Sequence, residues 1–397
     1  MTDAFDRLQE RLGDALAANS PESGIPHVLL ILPSFSVSES ILSHYGDRIP
    51  SLEHRYLNAT LIPDRIESCE AIYISTRRPG QAIVDYYLDL VPAERRAALA
   101  SKVSLIEVDD GTPRSVAAKL LDRPDLLADL RARIAGRPAL MEPWNVTDHE
   151  VALAVALGVP INGTRPDLRW IGFKSEGRRL MREAGVPVPF GVEDVRSIDD
   201  VVAAVAEIRA ARPDAPGVVI KHDDSGAGDG NVVLELTPDV DVRAAVSGLE
   251  DWYLEDLARG GIVEERIAGT RFSSPSAQVD IRPDGEVRVL ATHEQVLGGA
   301  SGQVYLGCRF PADHAYAPEL ARHAAAIGAR LAQRGAVGRF SVDFVTASSD
   351  RGDWNVYALE INLRKGGTTH PYSALRNLVP GRYDTEAGEW VAEDGET

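Results

Sequence analysis

Near its C-terminal end the chain carries two strand-like segments in which polar ligand groups alternate with core-forming residues. YALEINLRKGGTTHP (357–371) sets Glu360 and Asn362 two positions apart, followed by an Arg-Lys pair and a Gly-Gly turn. Residues two apart on a strand project from one face, so Glu360 and Asn362 point together while Ile361 enters the core. Upstream, GRFSVDFV (338–345) places Asp343 between Val342 and Phe344. The intervening TASSDRGD is a turn signal, so the two segments read as a hairpin with Asp343 level with Glu360. Hard oxygen ligands on one face, with cations just beyond, suit Mg²⁺ shared with substrate phosphates. Asp343, Glu360 and Asn362 are therefore candidate metal ligands. Taken singly, Asp343 or Glu360 also fits a solvated residue on an ordinary alternating strand.

At 397 residues, the chain is long enough for two or three cores. Its 44% hydrophobic and 26% charged content is that of a globular protein. No apolar run approaches a membrane span, so no membrane partner is expected. The first residues place Phe5, Leu8, Leu12 and Leu16 at helical spacing among charges; this reads as an amphipathic surface helix and not a signal peptide. Cys69 and Cys308 are far apart in sequence, and two buried thiols in a reducing cytoplasm fit better than a disulfide. The formal charge of −18 argues against nucleic acid as a partner, since phosphate contacts need a basic face. The same charge favours a cationic co-substrate.

The first 165 residues alternate short apolar runs (27–33, 71–76 and 103–109) with helical patterns around 81–90 and 125–134. Buried strands alternating with helices imply an open, largely parallel α/β sheet. A helix starts at Thr147 or Asp148 and stops at Gly158. Another runs from about Lys174 to Ala184, with Gly185 as its C-cap. GVVIKHDDSGAGDGNVVLEL reads as strand, glycine-rich loop and strand; GIVEERIAGTRF and a long β-like stretch to Phe310 follow. A helix is expected over 315–334. The division is 1–165 for the N-terminal domain, 166–265 for a small lobe and 266–397 for a large lobe.

Lys221 ends an apolar strand just before the glycines, which let backbone N–H groups approach phosphates. The order is not that of a P-loop, and no helix follows as in a dinucleotide fingerprint. Ser225, Gly226 and Gly228 are the candidate phosphate contacts, because Asp223, Asp224 and Asp229 repel an anion. An ordinary hairpin loop is the competing reading. Lys174 heads a helix, where the dipole is already positive; phosphate is one reason for a lysine there. Glu264 and Glu265 end an apolar strand, where a carboxylate and the strand backbone can accept from an adenine amino group and a ribose hydroxyl; taken as isolated glutamates they also fit surface residues.

In this order, Lys174, Lys221 with its glycine loop, Glu264–Glu265, Asp343 and Glu360-x-Asn362 resemble the ATP-grasp superfamily. STRRPGQAIVDYYLDLVP, WNVTDHEVALAVALGVPI, KSEGRRLMREAGVPVPFG, ATHEQVLGGASGQVYLGCRFP and EINLRKGGTTHP extend the resemblance to the subgroup with a pre-ATP-grasp domain, which includes the pheganomycin-type peptide ligases. The resemblance implies an α/β fold: an N-terminal open parallel α/β (pre-ATP-grasp) domain, then a two-lobed α+β ATP-grasp fold. It implies ATP and Mg²⁺ as cofactors, with the two lysines on phosphates and the Asp/Glu/Asn set on the metal. It also implies ligation of a carboxylate to an amine through an acyl phosphate, with ADP released. The partners are then a small-molecule carboxylate donor and an amine or peptide acceptor, and a homodimeric assembly is expected.

On that reading Glu360 and Arg364 are catalytic. Arg309 steadies the donor carboxylate or acyl phosphate, and Glu294 or Gln295 orients the acceptor ammonium. Lys365 is a second phosphate contact or solvated, and His293 and His370 pack or lie at the surface. The acceptor is a peptide amine, with a single amino acid or polyamine as the alternative; a nucleotide sensor without turnover is the alternative of another class. Three features depart from the superfamily pattern. Arg271 stands where a ribose-binding glutamate is common. The glycine loop is extended by Asp229-Gly230. The last residues, EWVAEDGET, read as a strand and turn lacking a return strand, as in a truncated chain.

Overall fold

A computed structural model describes residues 2–35, 42–43, 45–225, 230–298, 304–349 and 353–395. Three larger sheets and one two-stranded sheet organise these residues. The first has the order β3-β2-β1-β4, built from β1 (His27–Leu32), β2 (Cys69–Ser75), β3 (Val103–Glu107) and β4 (Ala139–Pro143), all parallel. Every residue of β1 is buried, as expected for a strand covered on both faces. The core on one face draws Leu30, Ile72 and Met141 together with the helices α1 (Val116–Leu121), α2 (Pro124–Ile134) and α3 (Asp148–Leu157).

The start of α3 is fixed by a capping box. The Thr147 backbone N–H donates to Glu150 Oε2 at 2.8 Å, and Thr147 caps the helix in return. Gly158 ends this helix at φ 71°, a left-handed conformation that glycine adopts without steric cost. The N-terminal helix expected as one piece is two, Thr2–Gln9 and Leu12–Ala18.

The middle sheet, order β5-β8-β6-β7, comprises β5 (Gly191–Val195), β6 (Gly217–His222), β7 (Asn231–Glu235) and β8 (Gly261–Glu265), all antiparallel. The helix α4 (Lys174–Glu183) precedes it, and α5 (Ile198–Ala211) packs on it through Val201, Val205 and Ile208.

The C-terminal sheet runs β12-β11-β10-β13-β14. Its strands are β9 (Arg271–Ser273, pairing with β13), β10 (Pro275–Ile281), β11 (Val287–Gly298), β12 (Val304–Arg309), β13 (Gly338–Ser348) and β14 (Trp354–Asn362). The helix α6 (Ala317–Gln333) covers one face, packing Leu320, Ala324 and Ile327 on Val279, Phe340 and Val342. α7 (Thr369–Leu378) follows β14. The last strands, β15 (Gly381–Asp384) and β16 (Glu389–Ala392), pair with each other. The reading of EWVAEDGET as a strand lacking its partner is thereby corrected: the partner lies upstream. Both cysteines are free, Cys69 buried and Cys308 half-buried. Among the described residues no helix is long and apolar enough to cross a membrane.

Candidate active site

The hairpin β13–β14 places Asp343 opposite Glu360 and Ser341 opposite Asn362, with a bulge just after Asp343. The Asn362 amide donates to Asp343 Oδ2 at 3.0 Å. Burial, then the facing Glu360 carboxylate, pushes Asp343 up to about 6, against the pull of Ser276, Asn362 and Arg364. Two carboxylates held side by side in a desolvated place call for a cation between them. That donor set fits Mg²⁺, which Asp343, Glu360 and Asn362 would hold, and whose chemistry is to neutralise phosphate charge.

Lys174 is the first residue of α4. The residue before it makes no side-chain cap; the cap comes instead from the turn that follows β6. Asp223 accepts from the Ser175 N–H through Oδ1 (2.8 Å) and from the Lys174 N–H through its carbonyl (3.1 Å). Such a cap is worth about 1 kcal/mol. A side chain at Gly260 would meet the Asp223 carboxylate at 2.7 Å, so glycine there keeps the cap in place. The buried Lys174 ammonium donates to Ser225 O (3.1 Å) and Oγ (3.0 Å), and lies 3.8 Å from Glu360 Oε2. One side chain thus joins the loop after β6 to the Glu360 carboxylate of β14.

Lys221 forms a close ion pair with Glu264, whose other oxygen accepts from Arg178 Nη1 at 2.6 Å. Arg178 is completely buried and also bonds Glu193 and the Pro189 carbonyl, each at 2.7 Å. Glu265 Oε1 accepts from the Phe190 N–H at 2.7 Å, and Oε2 lies 3.4 Å from Arg212. Protein donors thus engage both glutamate side chains. Gly226 and Gly228 lie outside the described residues. Arg271 stacks on Trp354, 4.7 Å from its ring centroid.

The acceptor-side expectations divide by strand parity. Asp343 pairs with Ser276, and Ser276 with His293, so those three share a face. Glu294 turns to the other face, where it accepts from Ser273, Tyr316 and the Asp313 N–H. Arg309, exposed, is its cross-strand partner. The structure thus does not bring Glu294 and Arg309 to the Asp343 face, which corrects their placement beside the substrates. Gln295, one residue on, returns to that face. Arg364 follows β14 and donates through Nη1 to the Lys365 carbonyl at 3.2 Å. Lys365 is neither solvated nor free for phosphate: it is buried, 2.8 Å from Glu142 Oε1 and 2.8 Å from the Pro143 carbonyl. His293 is fully buried and His370 stacks on Trp144 at 4.9 Å, so both pack.

Sequence reasoning missed four residues of this region. Ser276 and Arg178 support Asp343 and Glu264. Asp223 holds α4. Tyr305 packs close to Gly367, with a buried hydroxyl that lacks a hydrogen-bond partner. A cleft of about 430 Å³ adjoins Glu265, Ala347 and Tyr357, but none of Lys174, Lys221, Asp343 or Glu360 lines it.

A parallel α/β layer, followed by two antiparallel sheets that meet across lysines and paired carboxylates, defines the ATP-grasp fold. The family described as IQCH-like, ATP-grasp matches residues 250–385. The L-propargylglycine–L-glutamate ligase of Streptantibioticus cattleyicolor is 33% identical over 330 residues, covering 78% of this chain and 66% of that protein. IQ motif-containing protein H of Danio rerio is 22% identical over 360 residues, covering 75% of this chain and 34% of that one. The biotin carboxylase of Campylobacter jejuni superimposes with a TM-score of 0.57 at 17% identity, over 88% of this chain and 68% of that one. The chain has the ATP-grasp fold, and its residues 250–385 match an ATP-grasp family. It spans from about a third to just under two thirds of the length of these two curated relatives.

Proposed function

We propose that the chain is a cytoplasmic ATP-dependent carboxylate–amine ligase. It joins an amino-acid or N-modified amino-acid carboxylate to the amine of a peptide, through an acyl phosphate and with release of ADP. The observation that carries this reading is the approach of Lys174 to Glu360, at 3.8 Å, beside the Asp343–Asn362 contact. A cation from one lobe and carboxylates from the other converge where a triphosphate and its metal would need both. The similarity to a protein named as a ligase of L-propargylglycine and L-glutamate supports the reaction class. That name also favours a second reading, in which the acceptor is a single amino acid.

The physical task is to bring a carboxylate against a polyanion. Lys174 and Lys221 screen phosphate charge, and Arg364 adds a cation at the end of β14. A carboxylate oxygen of the donor forms a bond to the γ-phosphorus as the bond to the ADP oxygen breaks. The neutral amine then adds to the acyl carbon, phosphate leaves, and the amine proton is released. Water must be kept out between the two steps, because it would hydrolyse the acyl phosphate.

The test is to supply Mg²⁺–ATP and a panel of carboxylates, with hydroxylamine in place of the amine. A hydroxamate should form, and ADP release should depend on an added amine or peptide. Glu360→Gln should lower turnover by about 10²-fold or more while the far-ultraviolet circular dichroism is retained. ATP binding with neither hydroxamate nor amine-dependent ADP release across the panel would make the chain a nucleotide sensor.

A further inference from the structure

At the end of the C-terminal sheet, β12 carries a bulge that turns one side chain toward the Asp343 face. The register shifts between Val296 and Leu297: Gly307 pairs with the first and Tyr305 with the second, so Leu306 is the extra residue. Such an extra residue re-aims its neighbours. Leu306 is 65% exposed, while Tyr305 and Cys308, three positions apart, come to one side. There burial, the Cys308 thiol and the Asp343 carboxylate, in that order, push the Tyr305 phenol up, with Arg55 opposing. Gln295 is the cross-strand partner of Cys308 and shares its face.

The turn at 366–368, after β14, lies against the same face. A side chain at Gly367 would meet the Tyr305 ring at 3.0 Å, and one at Gly366 would come within 3.9 Å of Ser341 Oγ. The Gln278 amide donates through Nε2 to the Thr368 carbonyl at 2.8 Å. Ser341 and Gln278 are cross-strand partners, so Gly366, Gly367 and Thr368 are all seated on the sheet. Two polar groups beside them are left over among the described residues. The Tyr305 hydroxyl is buried without a hydrogen-bond partner; Cys308 Sγ lies beside it, a weak partner in either role. Gln278 Oε1 is likewise buried and unpartnered, in a residue only 1% exposed. The other amide atom faces a carbonyl and must be the N–H end, so the free atom is oxygen. Only a donor satisfies that oxygen, a phenol oxygen accepts as well as donates, and the Asp343 carboxylate repels an anion.

We propose that the sheet face beside the turn at 366–368 receives the acceptor amine of the ligation, and that Tyr305 positions it. The inference rests on the ligase reading and adds the place of the second substrate and its class, an amine with an N–H to give. The Tyr305 oxygen accepts one amine N–H while its own hydrogen points to Cys308 Sγ. The nitrogen lone pair is then free to face the acyl carbon. Tyr305 keeps its proton throughout, so it orients the amine and is not its base. In that step the C–N bond forms, the bond from the acyl carbon to the phosphate oxygen breaks, and the amine proton passes to solvent.

The experiment compares the wild-type protein with Tyr305→Phe, which removes the hydroxyl and keeps the ring. The donor is the carboxylate that gives most hydroxamate. The amine probe is whichever of the common L-amino acids and glycyl dipeptides releases most ADP. Two steps are read separately: bridge-to-nonbridge oxygen-isotope scrambling in ATP without amine reports the acyl phosphate, and the KM for the amine reports its site. In Tyr305→Phe the KM for the amine should rise about tenfold or more, with isotope scrambling and the KM for ATP unchanged. A merely structural role would not split the two steps. An unchanged KM for the amine overturns the inference and leaves the ligase reading standing. Loss of isotope scrambling in the folded variant also overturns it, because the hydroxyl would then serve the first step. Neither hydroxamate nor isotope scrambling in the wild-type protein removes the ligase reading, and this inference with it. If Tyr305→Phe does not fold by circular dichroism, Gly367→Ala replaces it: its methyl displaces the Tyr305 ring, and the same selective rise, or its absence, decides.

Discussion

His293 illustrates what a single buried residue does to the stability profile. It is fully buried, neither ring nitrogen has a hydrogen-bond partner, and burial pushes it down to about 3. His370 is held down at about 4, chiefly by burial. Both are neutral in the folded chain and protonate near 6.5 once it unfolds. Between those limits the unfolded state binds more protons. Stability is therefore full above pH 6.5 and falls as the pH drops, by about 1.4 kcal/mol per pH unit for each histidine. In His293→Phe that slope should decrease by one histidine's share; urea midpoints at pH 7, 6 and 5 measure it, and an unchanged slope would exonerate His293. Asp343, Glu360, Asn362 and Lys174 were legible in the sequence because period two and a helix start mark them locally. Ser276, Tyr305 and Arg178 were not, because strand register and contacts between lobes select them. Glu294 was misplaced for a related reason: a shift of one residue exchanges the two faces of a strand, and nothing in HEQVLGG says which face is inward.

Elements carry the site by tying ends together. α4 is anchored by Asp223 at its start and by Arg178 within it, and Arg178 in turn fixes Glu264 and hence Lys221. Arg178→Met should leave Glu264 with one cation and Glu193 with only the partly exposed Arg182, which bonds it at 2.7 Å. Removing one partner of a buried ion network costs about 3–5 kcal/mol. The loss should appear in urea unfolding, together with weaker binding of an ATP analogue as Lys221 is released. A variant of wild-type stability would show that the network is energetically neutral. The sequence revealed most of these elements through turn residues and caps, with Thr147, Gly158 and Gly185 the clearest. It did not reveal β4, five residues ending in proline, whose strand character comes from its parallel partner β1. The final strand was visible but its partner was not, since hairpin pairing depends on the return of the chain after α7.

At the scale of the molecule, the N-terminal layer and the C-terminal sheet are joined by Lys365 and Glu142. The pair is buried and assisted by Asn162 and the Pro143 carbonyl. Lys365→Met alone should destabilise by about 3 kcal/mol or more, because it strands the Glu142 carboxylate; the double change with Glu142→Leu should recover much of that. Equilibrium unfolding of the four proteins gives the coupling, and strictly additive losses would mean the pair is not coupled. No sequence pattern announced this contact, since 222 positions separate Lys365 from Pro143.

Lys365 follows β14 by only three residues, so its clamp grips the backbone that carries Asn362 and Arg364. The parallel layer then serves as an anvil for the carboxylate side of the cleft. Any opening and shutting around a nucleotide would then fall to the other jaw, the sheet that carries Lys221.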